Sequence, residues 1–191
     1  MTDQPTSETP ETDAPSPGVH WNRVLRREFA QESDRATVIV AVVLLDSALE
    51  TLLRSRLAPA PSSQDTLLEG AYAPLSTFSS RIDAAYRLGL ISAAFARDLH
   101  VVRRIRNEFA HNISGCSFQD SGVRHRVAEI YQSAGLGKRA PQSRSKFPEG
   151  AKGDFEMTIS WMQWCLRELA AEIQPIEPAG REWPYIVGET R

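Results

Sequence analysis

The stretch SAAFARDLHVVRRIRNEFAHN, Ser92 to Asn112, decides how the chain folds. Phe95, Leu99, Val102, Ile105 and Phe109 recur at steps of three and four, which places them on one face of a helix. Ser92 stands where an N-cap belongs, and the helix is predicted to run to about His111. Its polar residues are also ordered. Arg103, Asn107 and His111 are spaced by four and form one row, which His100 extends toward the N-terminal side. Arg104 and Arg106 project at other angles, and Glu108 stands four residues after Arg104, within pairing reach. Arg106 and His111 are roughly 140° apart around a straight helix. A site shared by those two needs bending, long side-chain reach, or a second copy of the helix across a dimer axis.

Working outward, the pattern stays helical. From Pro74, the residues Leu75, Phe78, Ile82, Ala85 and Tyr86 have helical spacing, Gly89 suits the position after a helix end, and Leu90 and Ile91 make an apolar corner. PAPSSQ reads as a loop, and Asp65 to Glu69 as a short turn stopped by Gly70. Ser33 or Asp34 can cap a helix from about Arg35 to Leu57. Its first half is apolar nearly all round, the mark of a central bundle helix, and Leu45, Leu49, Leu52 and Leu53 face inward while Arg54 and Arg56 face outward. Trp21, Leu25 and Phe29 predict a first helix over about Val19 to Gln31.

On the C-terminal side, a helix is predicted from about Asp120 to Ser133. A Gly/Pro/Ser-rich, basic insertion at 135–153 then precedes a last helix from about Asp154 to Gln174. Phe155, Ile159, Met162, Leu166, Leu169 and Ile173 form one face of that helix, and Met157, Trp161 and Trp164 a second. Two apolar faces mean a central helix or one shared with another subunit. Tryptophans at helical spacing read first as packing and second as a ligand or partner surface. No alternating strand pattern or repeat is visible. The class is therefore all-α, a compact bundle of about six helices.

Three regions follow: an acidic Pro/Thr-rich tail at 1–18 expected to be disordered, one domain at 19–176 with the flexible insertion, and an irregular tail at 177–191. The formal net charge of -2 gives no bulk steering toward nucleic acid, although the tail holds Asp3, Glu8, Glu11 and Asp13 and no Lys or Arg. Cys116 and Cys165 are isolated from each other, which excludes a disulfide framework and fits a reducing compartment. The start has no signal-peptide pattern, and the most apolar run, Ala36 to Leu45, is too short to span a bilayer, so a cytoplasmic protein without a membrane partner is expected. His20, His100, His111 and His125 lack metal-ligand spacing with Cys or carboxylates. No nucleophile motif or phosphate-binding loop stands out, so neither metal nor cofactor is expected.

Two resemblances attach to these residues. FSSRIDAAYRLGLIS followed by RDLHVVRRIRNEFAHNISGCSF is similar to the mannitol operon repressor family over roughly residues 33–132, most specifically in the Gly-Leu-Ile corner, the Arg-Asn-x-Phe-Ala-His core and Phe118. That resemblance implies a bacterial helical regulator of transcription, repressor-like, without an obvious DNA-reading motif. The trio Arg106, Asn107 and His111 also resembles the HEPN superfamily mark. In nuclease members of that superfamily an Arg and a His cleave RNA without metal at a dimer interface. His111 would then be general acid/base, Arg106 would stabilise the phosphorane, and Asn107 would orient either.

The residues leave several roles open for the row Arg103, Asn107, His111 and the neighbouring Arg104. It can be structural or dimer-forming, with Asp46 and Glu50 as buried ion-pair partners for its arginines. It can also be catalytic, or contact a ligand or nucleic acid. Lys138, Arg139, Arg144 and Lys146 of the insertion could meet phosphates or simply be solvated. Arg124, His125 and Arg126 would form a basic patch if their helix faces outward, and the Gly89–Ser92 corner has only the rough form of a DNA-reading turn. The favoured expectation is a non-enzymatic homodimeric regulator that acts through a protein partner, with RNA or DNA as weaker alternatives. The competing expectation is a metal-independent endoribonuclease using Arg106 and His111.

Overall fold

The hydroxyl of Ser33 accepts a hydrogen bond from the Ala36 amide and opens α1, Asp34–Arg56, in the computed structural model. The structure describes residues 27–29, 32–112, 115–139 and 141–178. The acidic tail 1–18, Trp21 and Leu25 of the first expected helix, and the end of the C-terminal tail lie outside the described residues. After α1 come α2 (Phe78–Arg87), α3 (Ala93–His111), α4 (Ser121–Ala134), the short α5 (Leu136–Arg139), a 3-10 turn at Pro141–Lys146, and α6 (Gly150–Glu172). No strand occurs among the described residues, so the class is all-α.

α1 is the axis of the bundle. By length and composition it is apolar enough to cross a membrane. In the fold, however, Val38, Ala41, Leu45, Ala48, Leu49, Leu52 and Leu53 are fully enclosed. Its longest partner is α6, and the two run parallel. Lys152 Nζ lies 3.5 Å from Asp34, Arg167 Nη1 donates to Thr51 at 3.2 Å, and Arg56 Nη1 donates to Gln174 O at 3.0 Å. Gln163, with its amide turned to donate to Leu44 O at 3.1 Å, fits the same register. Two parallel neighbours cannot be joined by a tight turn, so the rest of the chain forms the crossover. The rings of Phe109, Phe118 and Phe155 meet in series, with centroids 5.5 and 5.2 Å apart, and join α3, the following loop and α6.

The expected stripes are where periodicity puts them. Leu99, Val102, Ile105 and Phe109 of α3 are buried, as are Phe155, Ile159, Met162 and Leu166 of α6, and Phe95 is half-buried against Trp161. The second face of α6 is divided: Met157 is buried and Trp164 is exposed. Boundaries differ in two places. α2 starts at Phe78, because Thr77 and Ser80 make a reciprocal capping box. α6 starts at Gly150, ahead of Asp154, because the 135–153 segment is folded against it. There Arg144 donates to Asp154 Oδ1 (2.9 Å), Pro148 O (2.7 Å), Phe147 O and Gly150 O. A Cβ at Gly153 would sit 1.6 Å from Pro148 O, so that position admits only glycine without the loop moving.

Arg81 on α2 is the main polar tie to the axis. It is 7% exposed, its Nη1 and Nη2 lie 2.8 Å from Asp46 and Glu50, and its Nε donates to Leu75 O at 2.9 Å. Glu50 also takes Arg54, which reaches Asp65 and Glu69 and so pins the 65–69 turn.

Two substitutions test this packing by chemical denaturation. Gly153→Ala is expected to lose about 1–3 kcal/mol, the usual cost of overpacking. Arg81→Ala, which leaves two partly solvated carboxylates facing each other, is expected to lose about 2–3 kcal/mol. A change within experimental error in either case would contradict the contacts described.

Candidate functional site

The polar row of α3 ends on the surface. Ser92 caps the helix by accepting from Phe95 N, and the bundle holds its apolar face, so the row can only point sideways. His111 and Arg104 are exposed, while Arg103, Arg106, Asn107 and Glu108 are half-buried. Arg106 Nη1 donates to Asn107 Oδ1 at 3.0 Å. Arg103 has a buried Nε without a hydrogen-bond partner. Glu108 pairs with Arg126 of α4, the place that spacing alone would assign to Arg104. His100 Nε2 lies 3.1 Å from Asp83 and ties α3 to α2. Asp46 and Glu50 are ion-paired with Arg81, and no ion pair joins them to the arginines of α3. Spacing along α3 could not reveal this, because the partner comes from another helix.

Beside the row lies an open cleft of about 420 Å³ between α1, the start of α2 and α3. Its apolar wall is Ile39, Val42, Val43, Phe78 and Ala110, with Arg106 on one side and Asp46 on the other. Val43 is 61% exposed, and Ile39 is also exposed. The start of α1 braces the end of α3: Arg35 Nη2 donates to Asn112 O at 2.7 Å, and Asp34 Oδ2 accepts from Phe118 N at 3.1 Å. Arg106 and Ala110 of the predicted segment thus join an α1 face that sequence reasoning did not single out. The signal available was the surplus of apolar residues on α1, more than one buried face needs.

The remaining candidates are distributed. Arg124 and His125 are exposed and line a second, larger cleft of about 710 Å³ at the starts of α4 and α6. Of the basic segment, Lys138 and Lys146 are exposed, Arg144 is engaged inside the protein, and the side chain of Arg139 lies outside the described residues. Cys116 is half-buried, and burial first, then a hydrogen bond with Asp120, pushes its thiol up to about 11, which removes thiolate chemistry at neutral pH. No group of three or more His, Cys, Asp and Glu side chains that could hold a metal occurs among the described residues.

One buried acid escaped the sequence reading. Glu156 on α6 is 4% exposed, and its Oε1 has no hydrogen-bond partner. Nor do the hydroxyls of Ser160, one turn on, and Thr37, which the α1–α6 register places at the same level. Burial pushes the Glu156 carboxyl from 4.5 up to about 7, with Lys152 pulling down, Asp34 pushing up and Arg144 pulling down. The native state therefore holds this proton more tightly than the unfolded chain. Stability should be greatest below about pH 4.5 as far as this group is concerned, and fall as pH rises through about 7. Glu156→Gln removes that dependence. Its stability curve between pH 5 and 8 should be flatter than wild type, by on the order of 3 kcal/mol at the alkaline end. Parallel curves would refute the assignment.

These features define a class: among the described residues, an all-helical bundle around a buried parallel helix pair, with an open, mixed apolar and charged cleft beside the end of α3. No family model matches the chain, and no curated protein matches it. Solved structures do. A chain from the X-ray structure of the MtlR–HPr complex of Escherichia coli is 23% identical, with a TM-score of 0.50 over 78% of this chain and 95% of that one. A possible transcriptional regulator, YggD, from Shigella flexneri 2a is 14% identical, with a TM-score of 0.53 over 79% of this chain and 97% of that one. At such identities the likeness is one of fold, and the fold is MtlR-like.

Proposed function

We propose that the chain is a transcriptional regulator of the mannitol operon repressor type, repressor-like and non-enzymatic. It works in the cytoplasm as a homodimer and through a protein partner. The observation that carries this reading is the shared fold, since one similar chain comes from a protein–protein complex and the other is a possible regulator. The cleft supports the homodimeric part of it: an apolar strip of Ile39, Val43 and Ala110 with an arginine and an aspartate in the same lining has the mixed character of an association surface. Net charge of -2 and the inward commitment of Arg144 weigh against phosphate-driven DNA binding as the main activity.

A second reading keeps Arg106, Asn107 and His111 as a HEPN-type ribonuclease set. His111 is exposed and could meet RNA. Against it, Arg106 donates to Asn107, and His111 stands more than a helical turn away.

The test is RNA cleavage in the presence of chelator by wild type, His111→Ala and Arg106→Ala. All three are expected to show the same background. Chelator-resistant cleavage by wild type that both substitutions abolish, with unchanged melting temperature, would establish the nuclease instead. For the regulator itself, transcript levels are expected to change when the gene is deleted and to be restored by the His111→Ala form. Restoration only by wild type, together with chelator-resistant RNA cleavage that His111→Ala lacks, would overturn the non-enzymatic reading.

A further inference from the structure

We propose that the exposed α1 ridge of Arg35, Ile39, Val43 and Ser47 is the dimer seam, packed antiparallel against the same ridge of a second copy. The proposal rests on the homodimeric reading above and specifies where the two copies meet.

The argument begins with a residue in the wrong place for a monomer. α1 is apolar enough by composition to cross a membrane, and the bundle buries one broad face of it, yet Val43 is 61% exposed and Ile39 is 37% exposed one turn earlier. Arg35, Ile39, Val43 and Ser47, all exposed, follow one another at steps of four. Residues at that step form a continuous ridge, and ridges of this type interdigitate when two helices cross at about -50°.

The ridge matches itself. A two-fold axis through the midpoint of Ile39 and Val43 sets Ile39 of each copy against Val43 of the other. It also carries Arg35 of each copy to the level of Asp46 and Ser47 of the other, by the arithmetic of an antiparallel register. Asp46 lines the cleft beside Val43, with its side chain 29% exposed. Arg35 spends Nη2 on Asn112 O, which leaves other guanidinium N–H groups for an acceptor across the seam. The seam is thus apolar at its centre, with opposite charges meeting at both ends, the complementarity an isologous interface requires. A foreign helix could fill the apolar strip, but nothing in the ridge would select it. A second copy is selected by the order of charges.

The cleft contributes a second surface. Arg106 and Ala110 of α3 stand beside Val43, so each copy offers a recess of about 420 Å³ next to its own ridge.

Light scattering on the full-length chain tests the seam. Wild type is expected at twice the 21.3 kDa chain mass, and Val43→Glu at the single mass with an unchanged helical circular-dichroism spectrum. A second variant does not depend on disruption. With Cys116→Ser and Cys165→Ser as background, an equimolar mixture of the single variants Ile39→Cys and Val43→Cys should be joined between copies by a short bismaleimide. If wild type is dimeric but Val43→Glu stays dimeric and the paired cysteines do not cross-link, the seam is elsewhere and the homodimeric reading stands. If wild type is monomeric at micromolar concentration, the seam and the homodimeric reading both fail, and the ridge belongs to a different protein's surface.

Discussion

The whole architecture answers to the burial of α1. A helix apolar on nearly every side has no stable orientation at a surface, so it must be surrounded, and each fully enclosed Leu, Ile or Val contributes about 1.5–3 kcal/mol relative to exposure. Seven or more enclosed apolar side chains along one helix therefore outweigh any single polar contact in the molecule. That demand decides the partner as well. α6, apolar on two faces, is the element long enough to run beside α1 from Asp34 to Arg56, and it does so in parallel. Parallel pairing then obliges α2 through α5 to form the crossover, which leaves α3 bracketed between α1, α2 and α4.

Polar chemistry refines what burial sets up. Arg81 enters the bundle as a cation and finds two carboxylates one helical turn apart on the axis, so α2 can seat in one register only. The acids remain near 30% exposed. Their hydration is partly retained, and the gain lies more in where α2 sits than in net stability. Glu156 is the opposite case. It is enclosed with one oxygen unpaired, at a level of the seam where the hydroxyls of Ser160 and Thr37 are unpaired too, and it responds by keeping its proton to higher pH. Arg144 shows a third use of charge, holding the carbonyls of a Pro/Gly-rich turn against the start of α6.

Function is read where the bundle stops being satisfied. The end of α3 and the outer edge of α1 share a cleft, with apolar side chains in water and ionised groups at its rim. There Arg106 donates to Asn107, and His111 is exposed at the end of α3.

Periodicity by itself determined the helices. The faces of α3 and α6, the Ser33 and Ser92 caps and the turn at Gly89 all depend on side chains within a few residues of one another, which spacing reports directly. The same locality explains the boundary at Thr77, where a capping box hidden in an ordinary polar stretch starts the helix later than the apolar pattern does. What only the tertiary structure decided is pairing between distant segments. Arg81 with Asp46 and Glu50, Glu108 with Arg126, and Arg144 with its own loop are choices among many arginines of equal local standing. The exposed ridge of α1 belongs to that second kind too. An apolar helix announces that it will be covered, but which strip stays bare depends on how many neighbours the closed bundle can fit around it.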